Sequence, residues 1–285
     1  MLWENLREPE FKEAIKKSNG VCVVPIGCLE RHGPHSPVGT DTIIATGVVS
    51  DAADIEPAVV FPTMFFGDKT GSGEWPGTVI FSEETRWAIF KETCNEIYRN
   101  GFNKILFCNG HGGNTPMLST FMRAMMQENP NVMTFMCNVA TNTLDFQSFE
   151  RIANDYENYP YLTEEDRAEL MNCVNLKKPM GHACIYETGV AYAYRPETVA
   201  LDLISSEDGL SIHRFDDFGK YGISTTFAWM ANYPNSYSGA NDYKLTEGIA
   251  RALKDSAIQN MVKTIKFLKE ETISNEYHAE WIKKQ

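Results

Sequence analysis

The sequence predicts an α/β fold: a mainly parallel sheet with helices on both faces. Two observations carry this. Short apolar, β-rich runs at 21–26, 58–66, 104–108 and 132–139 alternate with helical spacing at 43–55, 82–100 and 115–127. Strand, loop, helix and strand in repetition call for crossover connections, and those build parallel sheets. The runs are also nearly continuous in apolar residues, as strands buried on both faces are. In such sheets ligands bind outside the carboxyl ends of the strands. Two polar loops fall at such ends, one after 21–26 and one after 104–108.

The elements follow in order. VCVVPI at 21–26 is a buried strand closed by Pro-Ile-Gly. The helix over 43–55 has Asp41 or Thr42 near its start. Residues 58–66 are a second strand. Trp75, Pro76, Gly77 and Thr78 form a rigid turn before a short strand. Ser82 caps the helix over 82–100, Glu83 and Glu84 suit its first turn, and Trp87, Phe90, Cys94, Ile97 and Tyr98 form its apolar stripe. Asn100-Gly101 ends it. The third strand runs straight into NGHGGN at 109–114, where Asn114 can cap the next helix with Pro116 in its first turn. Residues 141–180 are polar and acidic and read as an insertion or lid within a single domain spanning 1–285. Spacing at 182–194 is helical. A long amphipathic helix covers 244–270, with Leu245, Ile249, Leu253, Val262, Ile265 and Leu268 on its apolar face.

The bulk numbers narrow the function. A chain of 285 residues can bury a sizeable core. A net charge of −12 argues against nucleic acid or anionic membrane as a partner, since both require a basic face. No run approaches the roughly 18 apolar residues of a membrane span, and the N-terminus lacks a signal-peptide core. Seven widely spaced cysteines with no CxxC read as buried reduced thiols, which together predict a cytoplasmic protein.

The chemistry concentrates in GCLERHGPHSPVGTDT, residues 27–42, which holds two of the six histidines. Glu30 and His32 are two apart, so in an extended segment both reach one point. Asp41 lies beyond a Gly- and Pro-rich turn that can fold back. Carboxylates with imidazoles are a ligand set for zinc, manganese or iron, and one Asp can bridge two ions. The competing reading is a polar loop with ordinary hydrogen bonds. His35 suits a hydrogen bond to a carboxylate more than ligation. His111 sits between glycines that allow close backbone approach. The loop lacks the GxGxxG and GxxxxGK[ST] patterns, which argues against nucleotide binding. His182 and Glu187 in GHACIYETG can line one cleft if a helix begins between them; otherwise they are a capping His and a solvated Glu. His213 and His278 lack nearby partners and read as surface residues. Trp75 is a pocket wall or core.

These residues resemble the creatininase family of metal-dependent amidohydrolases. Its first motif, similar to P-x-G-x-x-E-x-H-G-P-H-x-P-x-x-T-D, stands here as PIGCLERHGPHSPVGTD from Pro25 to Asp41. The PGT turn stands at 76–78, NGHGGN at 109–114 and an HA-x-x-x-ET stretch at 182–188. The resemblance implies a three-layer α/β/α sandwich, two divalent metal ions (Zn, Mn or Fe) and hydrolysis of a C–N bond, often in a cyclic amide. Carried over by position, Glu30 and His111 bind one metal, Asp41 bridges and His32 binds the second. Creatininase, which gives the family its name, carries an additional Glu just after the NGH histidine, where this chain has Gly112 and Gly113. Glu187 is the candidate to complete the second metal's shell, and His182 resembles the family's proton-shuttling histidine. The implied reaction is attack by a metal-bridged hydroxide on a small polar metabolite. The family also holds deformylases, peptide-processing enzymes and a keto-inositol hydrolase, so ring opening of a cyclic keto-polyol is the alternative, with a non-catalytic metabolite-binding protein as the other class. Family resemblance further implies a homo-oligomer, a hexamer built from dimers.

Overall fold

The computed structural model describes residues 1–69, 71–139, 146–178 and 180–284. In chain order these form α1 (Phe11–Lys17), β1 (Val21–Ile26), α2 (Thr40–Ile55), β2 (Val59–Val60), α3 (Glu83–Arg99), β3 (Lys104–Asn109), α4 (Asn114–Glu128), β4 (Met133–Asn138), α5 (Phe146–Asn154), α6 (Glu164–Asn175), α7 (Ile185–Tyr194), α8 (Asp216–Lys220), α9 (Ala228–Asn232), α10 (Glu247–Glu270) and α11 (Ile273–Ile282). The strands make one parallel sheet in the order β2-β1-β3-β4.

The sheet has helices on both faces, and the strand residues show why. Val21, Val23, Leu106 and Cys108 point into one core with Ile44, Val48 and Val49 of α2, Tyr186 and Val190 of α7, and Ile249 and Leu253 of α10. Their neighbours Cys22, Val24, Ile26, Ile105 and Phe107 point into the other, with Phe90, Cys94 and Ile97 of α3 and Leu118, Phe121 and Met125 of α4. Alternation of side chains along a strand makes one apolar run serve two cores. Pro25 fits inside β1 because its missing N–H lies on the β2 side. There the neighbouring strand has ended and only Met64 N–H reaches the Pro25 carbonyl.

Several expectations are corrected. The strand over 58–66 shrinks to Val59–Val60: Pro62 lacks a donor, and the chain regains contact with β1 only at the isolated Ile26–Met64 bridge. No strand follows the turn at 75–78; Val79 N–H reaches the Leu29 carbonyl at 3.1 Å and the pairing stops there. Ser82 caps α3 as expected, accepting from Thr85 N–H at 3.2 Å, but Tyr98 lies 37% exposed, off the apolar stripe. Asn114 does not cap α4. Gly113 occupies the cap position, and the Asn114 amide instead ties two loops together, donating to Asn109 Oδ1 and accepting from Asp68 N–H. Thr246 caps α10 through Ile249 N–H, so the helix begins at Glu247, three residues later than the spacing suggests.

Of the 141–180 segment, 141–145 and 179 lie outside the described residues. The remainder forms α5 and α6, whose Phe149, Ile152 and Leu170 are buried in the same core as α7 and α10. Among the described residues no helix is long and apolar enough to cross a membrane. All seven cysteines are free, six of them buried.

Candidate metal centre

Four segments meet beyond the carboxyl ends of β1 and β3. The loop after β1 supplies Glu30 and His32, the first turn of α2 supplies Asp41, the loop after β3 supplies His111, and the start of α7 supplies His182 and Glu187. Two of the carboxylates, Asp41 and Glu187, sit in first turns of helices, where the macrodipole favours an anion. Gly110 lets the β3 loop pass α2 closely: a Cβ there would lie 2.7 Å from the Asp41 carbonyl oxygen.

The Asp41 carboxylate stands at the centre. Its Oδ1 lies 3.0 Å from His32 Nε2 and its Oδ2 3.0 Å from His111 Nδ1. Glu30 Oε1 is 2.9 Å from the same His111 nitrogen, and Glu187 Oε2 is 3.7 Å from His32 Nε2. Glu30, His32 and Asp41 are at most 1% exposed, and His111 and Glu187 at most 8%. Carbonyl oxygens only accept, so they fix the imidazole tautomers. His111 Nε2–H donates to the Asp68 carbonyl at 2.8 Å, and His32 Nδ1–H to the Glu30 carbonyl at 3.2 Å. The nitrogens that remain, His111 Nδ1 and His32 Nε2, are the ones aimed at carboxylates. A lone pair facing a carboxylate is repulsive unless a cation lies between them.

A proton can be that cation. Burial opposes charge on His32, but Asp41 chiefly overrides it and raises the imidazole to about 9. Burial likewise opposes charge on His111, while the Glu30 and Asp41 carboxylates hold it well above the ordinary value. Burial would raise Glu30 and Asp41, yet the neighbouring histidines keep both below the usual carboxylate range. Glu187 differs: burial pushes it up to about 7. A divalent ion can replace each proton. The donor atoms of Cys28, Glu30, Asp41 and His111 lie within 4.8 Å of one another, and so do those of His32, Asp41 and Glu187. Asp41 belongs to both groups, and carboxylates with imidazoles are a ligand set for divalent ions.

His182 closes one side. Its Nε2–H donates to the Arg31 carbonyl at 2.6 Å, its ring centroid lies 4.1 Å from that of His32, and its Nε2 is 3.6 Å from Glu30 Oε2. Burial lowers it to about 4, so it is neutral near pH 7. Helix α7 begins between His182 and Glu187, after Ala183 at φ +63°. That left-handed residue turns the chain so that Ala183 N–H donates to Glu187 Oε2 at 2.6 Å. Gly112 and Gly113 differ in their surroundings. A Cβ on Gly113 would meet His111 Nε2 at 2.4 Å and the Asp68 carbonyl at 2.9 Å, whereas a Cβ on Gly112 meets nothing within 4 Å.

His35 bonds the Ala183 carbonyl and the Thr188 hydroxyl rather than a carboxylate, correcting that expectation. His213 pairs with exposed Asp216, and His278 on α11 donates to the Pro130 carbonyl; neither joins the centre. Trp75 lies beneath the Arg31 guanidinium at 4.1 Å, and Arg31 pairs with both oxygens of Glu207 at 2.6 and 2.7 Å. Sequence reasoning missed Arg31, Glu207, Cys28, Lys69 and Trp229. Cys28 Sγ–H faces Asp41 Oδ2 at 3.1 Å. Lys69 Nζ lies 2.5 Å from Glu30 Oε2 and 4.6 Å over the Trp229 ring, whose edge meets His182 at 5.5 Å. The polar, Gly-rich stretch around Lys69 was a signal that a loop ran there, but no spacing tied it to Glu30.

The family model described as Creatininase: Creatinine amidohydrolase matches residues 4–265. The creatinine amidohydrolase of Pseudomonas putida is 22% identical over 217 residues, 73% of this chain and 77% of that protein. A mycofactocin precursor peptide peptidase from Mycolicibacterium smegmatis is 30% identical over 123 residues, 41% of this chain and 49% of that protein. The 3-dehydro-scyllo-inosose hydrolase of Thermotoga maritima is 25% identical over 111 residues, 39% of this chain and 35% of that protein. A crystal structure of creatininase superposes with a TM-score of 0.72 at 17% identity, covering 95% of this chain and 98% of that one. Creatininase structures are known in Mn and Zn–Zn forms. The match over nearly the whole length settles membership: the chain belongs to the creatininase family of amidohydrolases.

Proposed function

We propose that the chain is a binuclear metal-dependent hydrolase that cleaves a C–N bond, in a cyclic amide of a small polar metabolite. One observation carries the reading: the two oxygens of Asp41 face two different imidazole lone pairs. Glu30, Asp41 and His111 would hold one ion; His32, Asp41 and Glu187 would hold the other. The crowding at Gly113 supports this assignment, because a side chain there would strike the His111 ring and Glu187 supplies the carboxylate from α7 instead. Bound divalent ions lower the pKa of water and polarise a carbonyl oxygen.

The chain's own groups do the remaining work. Neutral His182 takes the proton released as water adds to the carbonyl carbon, then delivers it to the nitrogen as the C–N bond breaks. Because burial keeps it neutral near pH 7, it is a shuttle rather than a standing acid. The Arg31 carbonyl fixes its tautomer, and Trp229 packs against its ring and limits water. In this reading the whole chain acts as one domain, residues 146–178 brace the core, and the protein assembles as a hexamer built from three dimers.

Metal content per chain, by mass spectrometry after purification without chelator and again after zinc or manganese loading, tests the proposal. Two tightly held ions are expected. One ion would remove Glu187 from the ligand set, and none after loading would sink the reading. The Thermotoga maritima relative motivates the rival reaction, ring opening of a keto-polyol. A panel of lactams and keto-inositols separates the two, and binding without turnover at any metal loading would mark a non-catalytic protein. His182→Gln should keep both ions and lose turnover.

A further inference from the structure

We infer that Lys69 receives an anionic group of the substrate, so that the amide hydrolysed here belongs to a carboxylate-bearing molecule. The inference rests on the two-metal reading above. Lys69 lies in the segment between β2 and α3, is 8% exposed, and holds its ammonium 4.6 Å over the Trp229 ring. A buried ammonium needs a counter-anion, because desolvation of an unpaired charge is costly. Glu30 Oε2 serves that purpose at 2.5 Å. The same carboxylate also belongs to the metal-binding group with Asp41 and His111. Loading the centre therefore draws Glu30's charge away from Lys69.

The charge count then points to the ligand. The carboxylates of Glu30, Asp41 and Glu187 offset three of the five positive charges of Lys69 and two divalent ions, which leaves the centre net positive even after the attacking water has lost a proton. The nearby cations cannot share the load: Arg31 is held by Glu207, and Arg86 by Asp68 at 2.7 Å. A neutral substrate would leave the Lys69 ammonium beside positive ions with half of Glu30 for company. A substrate carboxylate answers it with a charge-assisted hydrogen bond, and Trp229 beneath adds a cation–π contact that holds the ammonium in place. Glu30 joins Lys69 to the Asp41 centre, its Oε2 meeting the ammonium while its Oε1 shares His111 Nδ1 with Asp41, which puts that carboxylate on a group next to the scissile amide rather than at the far end of a long molecule.

The test is calorimetric, on zinc-loaded protein, with two matched lactams: pyroglutamate, which carries a carboxylate, and its neutral amide. The acid should bind about tenfold tighter or more, one charge-assisted hydrogen bond being at stake. Lys69→Met should abolish that preference while metal content stays unchanged, and Lys69→Arg should restore most of it. Equal affinities in the unmutated protein, a preference that survives Lys69→Met, or no binding of the acid would each overturn the inference. The unmutated comparison stands even if Lys69→Met fails to fold. Metal content measured on the same samples reports separately on the two-metal reading, so equal affinities in unmutated protein that holds two ions overturn the Lys69 inference and leave that reading standing.

Discussion

At the scale of single residues, the centre is a set of groups that cannot satisfy one another without a cation. Glu30→Gln keeps the size of the side chain and removes its charge. Metal should be lost, and kcat/KM should fall at least a hundredfold, about 3 kcal/mol of transition-state stabilisation. Far-UV circular dichroism should be unchanged, since both cores lie away from Glu30. A Glu30→Gln protein with full metal and full activity would show that the ligand set is wrongly drawn. His35 gives a second prediction, in stability rather than turnover. It is buried, bonded to the Ala183 carbonyl and Thr188, faced by the edge of Tyr237, and near His32, Arg31 and Glu207. Burial lowers it from 6.5 to about 4. The unfolded chain therefore takes up a proton at higher pH than the folded one, and the stability His35 contributes is full above pH 6.5 and drains away as pH falls towards 4. The loss amounts to about 3 kcal/mol. Urea midpoints at pH 7 and pH 5 should diverge more for the unmutated protein than for His35→Gln; equal pH slopes would rule His35 out as the source.

At the scale of elements, the glycine pair after His111 separates a close approach from open space. Gly113→Ala should lower stability by about 1–3 kcal/mol and weaken metal binding, because the new methyl presses on the His111 ring and the Asp68 carbonyl. Gly112→Ala, with nothing within 4 Å, should stay within about 0.5 kcal/mol. Urea unfolding of both variants checks this, and equal effects would mean that the crowding at 113 is not real. The same stretch shows what was legible in the sequence. The parallel sheet, the two strand-end loops and the Ser82 cap follow from local patterns. So does the convergence of Glu30, His32 and Asp41, whereas His111 is placed with them only by the family resemblance. The short β2 was hidden by an apolar run that packs without pairing once Pro62 interrupts it. Asn114 looked like a cap because its type favours caps, yet its amide is spent on Asn109 and Asp68, contacts that only the tertiary fold creates. Lys69, Trp229 and the Arg31–Glu207 pair were illegible for the same reason: up to 176 residues separate partners that chain spacing cannot relate.

At the scale of the whole molecule, the metal centre and the two cores are separable. The sheet carries a closed apolar core on each face, while the charged cluster lies beyond its strand ends and holds itself together by histidine–carboxylate pairs. This arrangement differs from small metal-folded domains, whose apo chains are unfolded. Removing the ions with a chelator should therefore leave the helical signal intact and lower only the melting temperature. Ions present at a hundred times their dissociation constant stabilise the fold by about 2.7 kcal/mol. For a chain of this size that corresponds to a shift of about 5–10 °C. Scanning calorimetry of chelated and zinc-reloaded protein measures it, with oligomeric state followed by light scattering on the same samples so that assembly and metal effects stay apart. Collapse of the helical signal on chelation would mean that the ions nucleate the fold and that the histidine–carboxylate pairs are too weak to replace them. No shift at all would mean that the cluster holds no metal, and protons would then be the cations between Asp41 and its two imidazoles.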